Sequence, residues 1–407
     1  MSKALVISFF KSNNLGDLAL SEAMENLISS KGLEIIKYDF GTVSRVTNNI
    51  NVLSFDKKVD SIYSRNSVGQ SIISLIKKTL IFLVGTVNFG LLRFYIKKPF
   101  SYNKWATLNN DIKESDILVI GGGNMLMDIN PSWPDLFEDY LSLAKKHKKD
   151  IYILYIGAGP IRNKRSEKIY KNALNSAKKV TVRDPLSKEV CDNIINDKFI
   201  VESVDPVFSL PINLFDYRIN RINKLQKETK INIGISVLGD MCFDSKNSHE
   251  KYLECLAGLI KSLNLRLKNQ VEFILFSTEI ADYNAVHNLN DLLNSCDIKS
   301  IVYLRKVEEV TNLFKKLDFL IGGRMHGLIF SQKCLLPFIG VFWQEKIKGF
   351  SNVTKSKNKI YEVSYILKNQ DDIIDRVISD VTNIDRVKQM NETNKTLYDK
   401  VLNGNIE

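Results

Sequence analysis

Three permanent cations and an imidazole stand directly after apolar runs in this sequence. Arg183 closes the run in "VTVRDPLSKE", and Arg324 and His326 follow Gly322 and Gly323 in "IGGRMHGLIFSQKC". Lys346 lies twenty residues beyond His326, after the apolar "FIGVFW", in "QEKIKGF". A guanidinium fork grips a carboxylate or phosphate with two parallel hydrogen bonds, and an ammonium adds a compact positive charge. Imidazole exchanges a proton near neutral pH. Brought together, the four residues suit a small, multiply charged anion, such as one carrying both phosphate and carboxylate. His326 is then the candidate general acid or base. Each residue also has a plain structural explanation on its own: an Arg183–Asp184 ion pair, and a glycine turn with a solvated Arg324.

Other polar residues recur at equivalent places. In "KSNNLGDLALSEA", Gly16 permits a tight turn and Asp17 starts a helix as N-cap or first-turn carboxylate. Facing a cleft, Asn13, Asn14 and Asp17 would bind hydroxyls, and Asp17 is the second candidate for catalysis. "VIGGGNMLMD" supplies Gly122 and Gly123, and "IGAGPI" supplies Gly157 and Gly159. Such glycines let backbone approach a ligand closely. "ESVDPVFSL" places Asp205 before a proline, as "VRDP" places Asp184. There is no G-x-G-x-x-G fingerprint of a dinucleotide site and no Asp-x-Asp pair, so neither a cofactor nor a metal is expected.

Positioning these residues requires strands that end where they begin. Apolar runs alternate with amphipathic ones, the pattern of α/β architecture with mainly parallel sheets. Strands are expected at Ala4–Phe9, Leu33–Phe40, Ile117–Ile120, Ile151–Ile156, Val180–Arg183 and Phe199–Val201. A helix is expected over Asp17–Ser30, with Leu20, Met24, Leu27 and Ile28 as its apolar stripe. The charged "LFDYRINRINKLQKETK", residues 214–230, reads as a linker. Strands resume at Ile231–Val237, Val271–Phe276, Ser300–Leu304, Phe319–Ile321 and Phe338–Phe342, with a helix over Tyr252–Leu267. The expectation is two Rossmann-like domains, 1–213 and 231–352, facing a cleft. A helical segment, 353–407, would pack back toward the first domain. In such folds the loops at the carboxyl ends of parallel strands line the cleft.

A chain of 407 residues exceeds one ordinary core, and 44% hydrophobic with 25% charged residues is a globular composition. Five cysteines without paired spacing read as reduced thiols, which suits the cytoplasm. The N-terminus reads as a first strand with no signal-peptide pattern. The net charge of +11 comes from scattered lysines without a basic block or aromatic interleaving, so nucleic acid is not expected as a partner. An anionic substrate or an anionic membrane surface remains. Residues 71–100 bear on the second: an uncharged run from Thr79 to Leu92 is flanked by Lys77 and Lys78 and by Arg93, Lys97 and Lys98. It falls short of the ~20 residues of a spanning helix. A buried helix pair and a peripheral contact at the inner face of the plasma membrane are the two readings.

The series "NNLGDLAL", "GGGNML", "GAGP", "VRDPLS", "DPVF" and "GGRMHGLIFS", in this order, resembles the polysaccharide pyruvyl transferase family. The resemblance covers most of Met1 to about Phe350, and "GRMHG" is its strongest part. It implies a two-domain fold similar to the GT-B glycosyltransferases. It also implies transfer of a pyruvyl group from phosphoenolpyruvate, the donor substrate, to a saccharide acceptor as a ketal. Relatives hold the donor through positions that match Arg183, Arg324, His326 and Lys346. Their acceptors are often built on polyprenyl carriers. Residues 71–100 match no motif of the family and look like an insertion. Two alternatives stand beside this reading: a GT-B glycosyltransferase using a nucleotide sugar, and a non-catalytic protein that binds sugar or anion.

Overall fold

A computed structural model describes residues 2–46, 103–195, 200–226, 230–268, 270–293 and 298–406. The apolar stretch within 71–100 lies outside the described residues. Two sheets organise the chain. The first joins seven strands in the order β3-β2-β1-β4-β5-β6-β7. These are β1 (Lys3–Ser8), β2 (Glu34–Asp39), β3 (Ser44–Arg45), β4 (Ile117–Gly121), β5 (Asp150–Ile156), β6 (Lys179–Val182) and β7 (Ile200–Glu202). Its pairings are parallel except that of β2 with β3. The second is parallel throughout, in the order β10-β9-β8-β11-β12-β13. Its strands are β8 (Ile231–Ser236), β9 (Val271–Ser277), β10 (Ile298–Tyr303), β11 (Phe319–Gly322), β12 (Phe338–Phe342) and β13 (Ile360–Glu362).

The strands are short, nearly continuous apolar runs because helices cover both faces of each sheet. Ala4, Leu5, Val6 and Ile7 of β1, and Phe319, Leu320 and Ile321 of β11, are fully buried. The order reverses direction between β1 and β4, and again between β8 and β11. Such switch points open a crevice at the carboxyl edge of a sheet.

The chain also forms helices α1 (Leu15–Ser29), α2 (Pro185–Ile194), α3 (Phe215–Leu225), α4 (Met325–Lys333), α5 (Glu345–Val353) and α6 (Ile384–Gly404), and α1, α4 and α5 carry residues of that crevice. One buried cluster spans the two halves: Leu20 and Met24 of α1, Phe208 of the short Pro206–Ser209 turn, Leu328 and Phe330 of α4, and Met390 and Leu397 of α6. Helix α6 buries Val387, Met390, Asn394, Leu397, Val401 and Gly404, alternating steps of three and four that draw one stripe along its length. That stripe touches both halves. Tyr155 Oη donates to the Val401 carbonyl at 2.7 Å, while Gln332 Nε2 of α4 donates to the Met390 carbonyl at 3.0 Å.

The segment that reads as a linker contains α3, which is fastened rather than free. Arg218 is buried and donates to the carbonyls of Phe314, Leu317 and Cys334 at 2.5, 2.6 and 3.0 Å. These carbonyls lie at the carboxyl ends of the 307–316 helix and of α4, where the helix dipole favours a cation. No helix among the described residues is long and apolar enough to cross a membrane.

Candidate functional site

A cleft of about 470 Å³ opens between the carboxyl edges of the two sheets. The first half contributes Asn14 and Asp17 after β1, Asn124 after β4 and Arg183 after β6. The second contributes Thr278 after β9, Arg324 and His326 after β11, and Trp343 and Lys346 after β12. The two arginines, the imidazole and the lysine that the sequence singles out therefore share one wall-to-wall space.

Their environments differ. Arg183 is buried, yet its Nε and Nη1 have no hydrogen-bond partner among the described residues. Asp184 and Asp205 stand 3.8 and 3.7 Å away, beyond hydrogen-bond reach. Asp184 is committed instead to the start of α2, accepting from the Ser187 backbone and hydroxyl at 2.7 and 2.9 Å. Lys346, in the first turn of α5, has no ion pair among the described residues. Burial, and then the neighbouring Arg183, push its ammonium down to about 8. Two cations held near each other, with the carboxylates nearest Arg183 beyond hydrogen-bond reach, make a place for an anion.

Arg324 is occupied. Its Nε donates to Asp282 at 2.8 Å, its Nη2 bonds the other Asp282 oxygen, and its Nη1 meets Glu279 at 2.7 Å. Its guanidinium also lies 5.7 Å from the Trp343 ring centre. Its fork is spent on two carboxylates, so Arg324 shapes the wall and adds little free charge. This differs from the expected grip on a ligand, and the reason is the pair Glu279 and Asp282, which sequence reasoning missed. Both follow β9 in "FSTEIAD", at the sheet edge where the other site residues were sought.

Glu279 also ties the halves together. It accepts from Asn14 Nδ2 at 3.3 Å, and the Leu15 N–H donates to the Thr278 carbonyl at 2.9 Å. Burial raises the Glu279 carboxyl, and Asp282 and Asp17 add to this against the opposing Arg324.

His326 stands in the first turn of α4, nearly enclosed, with Nε2 3.6 Å from Asp205. Its Nδ1 side lies against Gly16 of α1. Gly16 is thus part of a helix, and it serves the site by lacking a side chain rather than by making a turn. Asn14 is the N-cap of α1, accepting from the Gly16 N–H at 2.8 Å. Asp17 sits in the first turn, facing the cleft, and accepts from Ser12 at 2.8 Å.

The remaining expected contacts fall elsewhere. Asn13 is exposed and outside the cleft wall. Gly122, Gly123, Gly157 and Gly159 do not line the cleft, because the protein's own side chains take the space they leave. A β-carbon at Gly123 would meet the Phe9 ring at 2.5 Å, and one at Gly157 would meet Asn124 Oδ1 at 2.3 Å. Asp205 stands behind Arg183 and His326 rather than in the open cleft. No group of three metal-ligating side chains occurs among the described residues. Burial pushes the thiols of Cys191, Cys255 and Cys334 up, leaving them inert.

Known structures match the architecture. UDP-GlcNAc 2-epimerase from Methanocaldococcus jannaschii aligns over 94% of this chain and 93% of its own, at 10% identity and a TM-score of 0.52. The Neisseria meningitidis enzyme bound to UDP-GlcNAc aligns over 99% and 100%, at 10% identity and 0.51. Accessory secretory protein 1, 2 and 3 of Streptococcus pneumoniae aligns over 74% of this chain and about half, 54%, of its own, at 11% identity and 0.42. The two epimerase likenesses establish a GT-B-like fold and no more. A search of curated proteins gives no match. The family model for polysaccharide pyruvyl transferase covers residues 14–343, from the Asn14 cap through the Arg324–His326 turn to Trp343. The chain belongs to the polysaccharide pyruvyl transferase family and is a transferase.

Proposed function

We propose that the protein moves the pyruvyl group of phosphoenolpyruvate onto a sugar of a surface polysaccharide or its lipid-linked precursor, closing a ketal and releasing phosphate. One observation carries the reading. In a chain of this family, Arg183, whose Nε and Nη1 make no hydrogen bond among the described residues, and Lys346, which has no ion pair among them, share a cleft with an imidazole.

The donor carries a carboxylate and a phosphate, and Arg183 and Lys346 neutralise them. The central carbon of the donor resists attack until its methylene carbon gains a proton. His326 supplies that proton, and the central carbon becomes oxocarbenium-like. A first sugar hydroxyl adds there and returns its proton to His326, aided by Asp17. Phosphate then leaves, the second hydroxyl adds, and its proton departs with the phosphate as hydrogen phosphate. The ketal keeps the carboxylate. Every proton is accounted for and no metal is required.

The test incubates pure protein with phosphoenolpyruvate and lipid-linked oligosaccharide, reading phosphate release and the acceptor mass. Phosphate release with a pyruvate ketal on the acceptor is expected. His326→Ala should lower turnover ~10²–10⁴-fold while the donor still binds. Turnover with a nucleotide sugar and none with phosphoenolpyruvate would replace this reading with glycosyl transfer. Binding without turnover of either donor would leave a binding protein.

A further inference from the structure

Asp205 follows β7 and caps the short turn Pro206–Ser209, its Oδ1 accepting from the Val207 N–H at 3.1 Å. That bond leaves Oδ2, which has no hydrogen-bond partner among the described residues. The same holds for three nitrogens around it: His326 Nε2 at 3.6 Å, Arg183 Nη1 at 3.7 Å, and Arg183 Nε. The side chains concerned are 7%, 12% and 5% exposed, so water does not readily satisfy them. Buried polar atoms left just out of reach of one another are costly, and each bond here needs only a few tenths of an ångström of movement. Asp205 and Arg183 belong to the first half and His326 to the second, so closing the cleft is one such movement.

We propose that Asp205 is the positioning residue of this site: it holds His326 through Nε2, leaves Nδ1 as the nitrogen that exchanges protons, and competes with the donor anion for Arg183. The proposal rests on the donor reading above. A carboxylate that accepts from one ring nitrogen fixes the ring and steadies the positive charge it carries during proton transfer. With Nε2 so committed, the proton-exchanging atom is Nδ1, the other nitrogen of a ring that lines the cleft. Burial favours a neutral Asp205 carboxyl, but the His326 ring and the Arg183 guanidinium outweigh it and hold the carboxyl below its ordinary range. Asp205 is therefore an anion that already faces Arg183. A bound donor must share or displace that interaction.

This assignment predicts opposite signs for binding and turnover. Asp205→Asn keeps an oxygen to cap the Val207 N–H but removes the negative charge. Calorimetric titration with phosphoenolpyruvate should show donor affinity equal to wild type or up to about tenfold tighter. Phosphate release with lipid-linked oligosaccharide, at saturating donor, should fall about 10²–10³-fold. Asp205→Ala, which also loses the cap, serves as the comparison for folding by thermal melting. Unchanged turnover in Asp205→Asn overturns the proposal. So does a loss of donor affinity that parallels the loss of turnover in a protein with wild-type melting, since that makes Asp205 part of the donor site. Wild-type protein that binds no phosphoenolpyruvate removes the donor reading itself, and this proposal with it. Wild type that binds and turns over beside an equally active Asp205→Asn removes Asp205 alone.

Discussion

Gly16 and His326 meet across the domain cleft with no room for a β-carbon between them: one built at position 16 would stand 1.9 Å from Nδ1 of His326. The contact joins the first turn of α1 to the first turn of α4. Alanine is a better helix former than glycine, so Gly16→Ala should not harm α1 itself. It should push His326 away from the donor site instead. Turnover is expected to fall at least about tenfold, with near-wild-type far-ultraviolet circular dichroism. Wild-type turnover in Gly16→Ala would show that the imbalance of space is absorbed elsewhere and that the imidazole position is not critical.

The two arginines should respond differently to lysine, which keeps the charge but not the fork. Arg183 makes no hydrogen bond at Nε or Nη1 among the described residues, so Arg183→Lys should weaken phosphoenolpyruvate binding roughly ten- to hundredfold and leave stability alone. Arg324 holds Asp282, which has no exposed surface. Arg324→Lys should therefore cost on the order of 1.5–3 kcal/mol in denaturant unfolding, with a smaller direct effect on the donor. A calorimetric series paired with urea melts separates them. Equal behaviour of the two variants contradicts the division of roles.

Lys346 makes donor binding depend on pH. Its ammonium is pushed down to about 8 in the free protein, so it is charged below that pH and neutral above it. A bound anion restores the charge. Donor affinity should fall as pH rises above 8, and binding at pH 8 should take up roughly half a proton, read from calorimetry in buffers of different ionisation enthalpy. The sign for folding is the reverse. A depressed lysine costs stability below pH 8, and that cost is relieved as pH rises toward the ordinary lysine range. Lys346→Met should flatten both dependences. A flat affinity profile in wild type would remove Lys346 from the donor site.

The α/β class and the strand ends that carry Arg183, Arg324, His326 and Lys346 are legible in the sequence because buried parallel strands are short apolar runs. Two strands are not: β3 has two residues and β13 has three, too few to show a period. The partners of these side chains are less legible than the side chains. "GRMHG" announces a cation but not that Asp282, 42 residues earlier, already holds it. A glycine likewise shows where a side chain is missing, not what fills the space. Gly16 makes room for His326, while Gly123 and Gly157 make room for Phe9 and Asn124. The charged 214–230 stretch hides a buried residue, Arg218, because its partners are backbone carbonyls, which leave no mark in a sequence.

Those carbonyls give a prediction about stability. Arg218→Ala takes a donor from three carbonyls, of which Phe314 keeps the Leu317 N–H at 3.3 Å, and a buried acceptor left unsatisfied costs about 1–3 kcal/mol. Unfolding free energy should fall by at least about 3 kcal/mol, measured by denaturant titration. Arg221 of the same helix pairs with Asp318 at 2.7 Å at a more exposed place, so Arg221→Ala should cost less. A reversal of that order would contradict the fastening of α3 by Arg218.

The central claim is that the cleft binds a small donor carrying both a carboxylate and a phosphate through Arg183 and Lys346. Calorimetric titration of the wild-type protein with phosphoenolpyruvate at pH 7, beside Arg183→Lys and beside Arg162→Lys as a control outside the cluster, tests it most directly. The expected result is one donor per chain, bound roughly ten- to hundredfold more weakly by Arg183→Lys and unchanged by Arg162→Lys. No heat with phosphoenolpyruvate, or equal affinity in all three proteins, would contradict it.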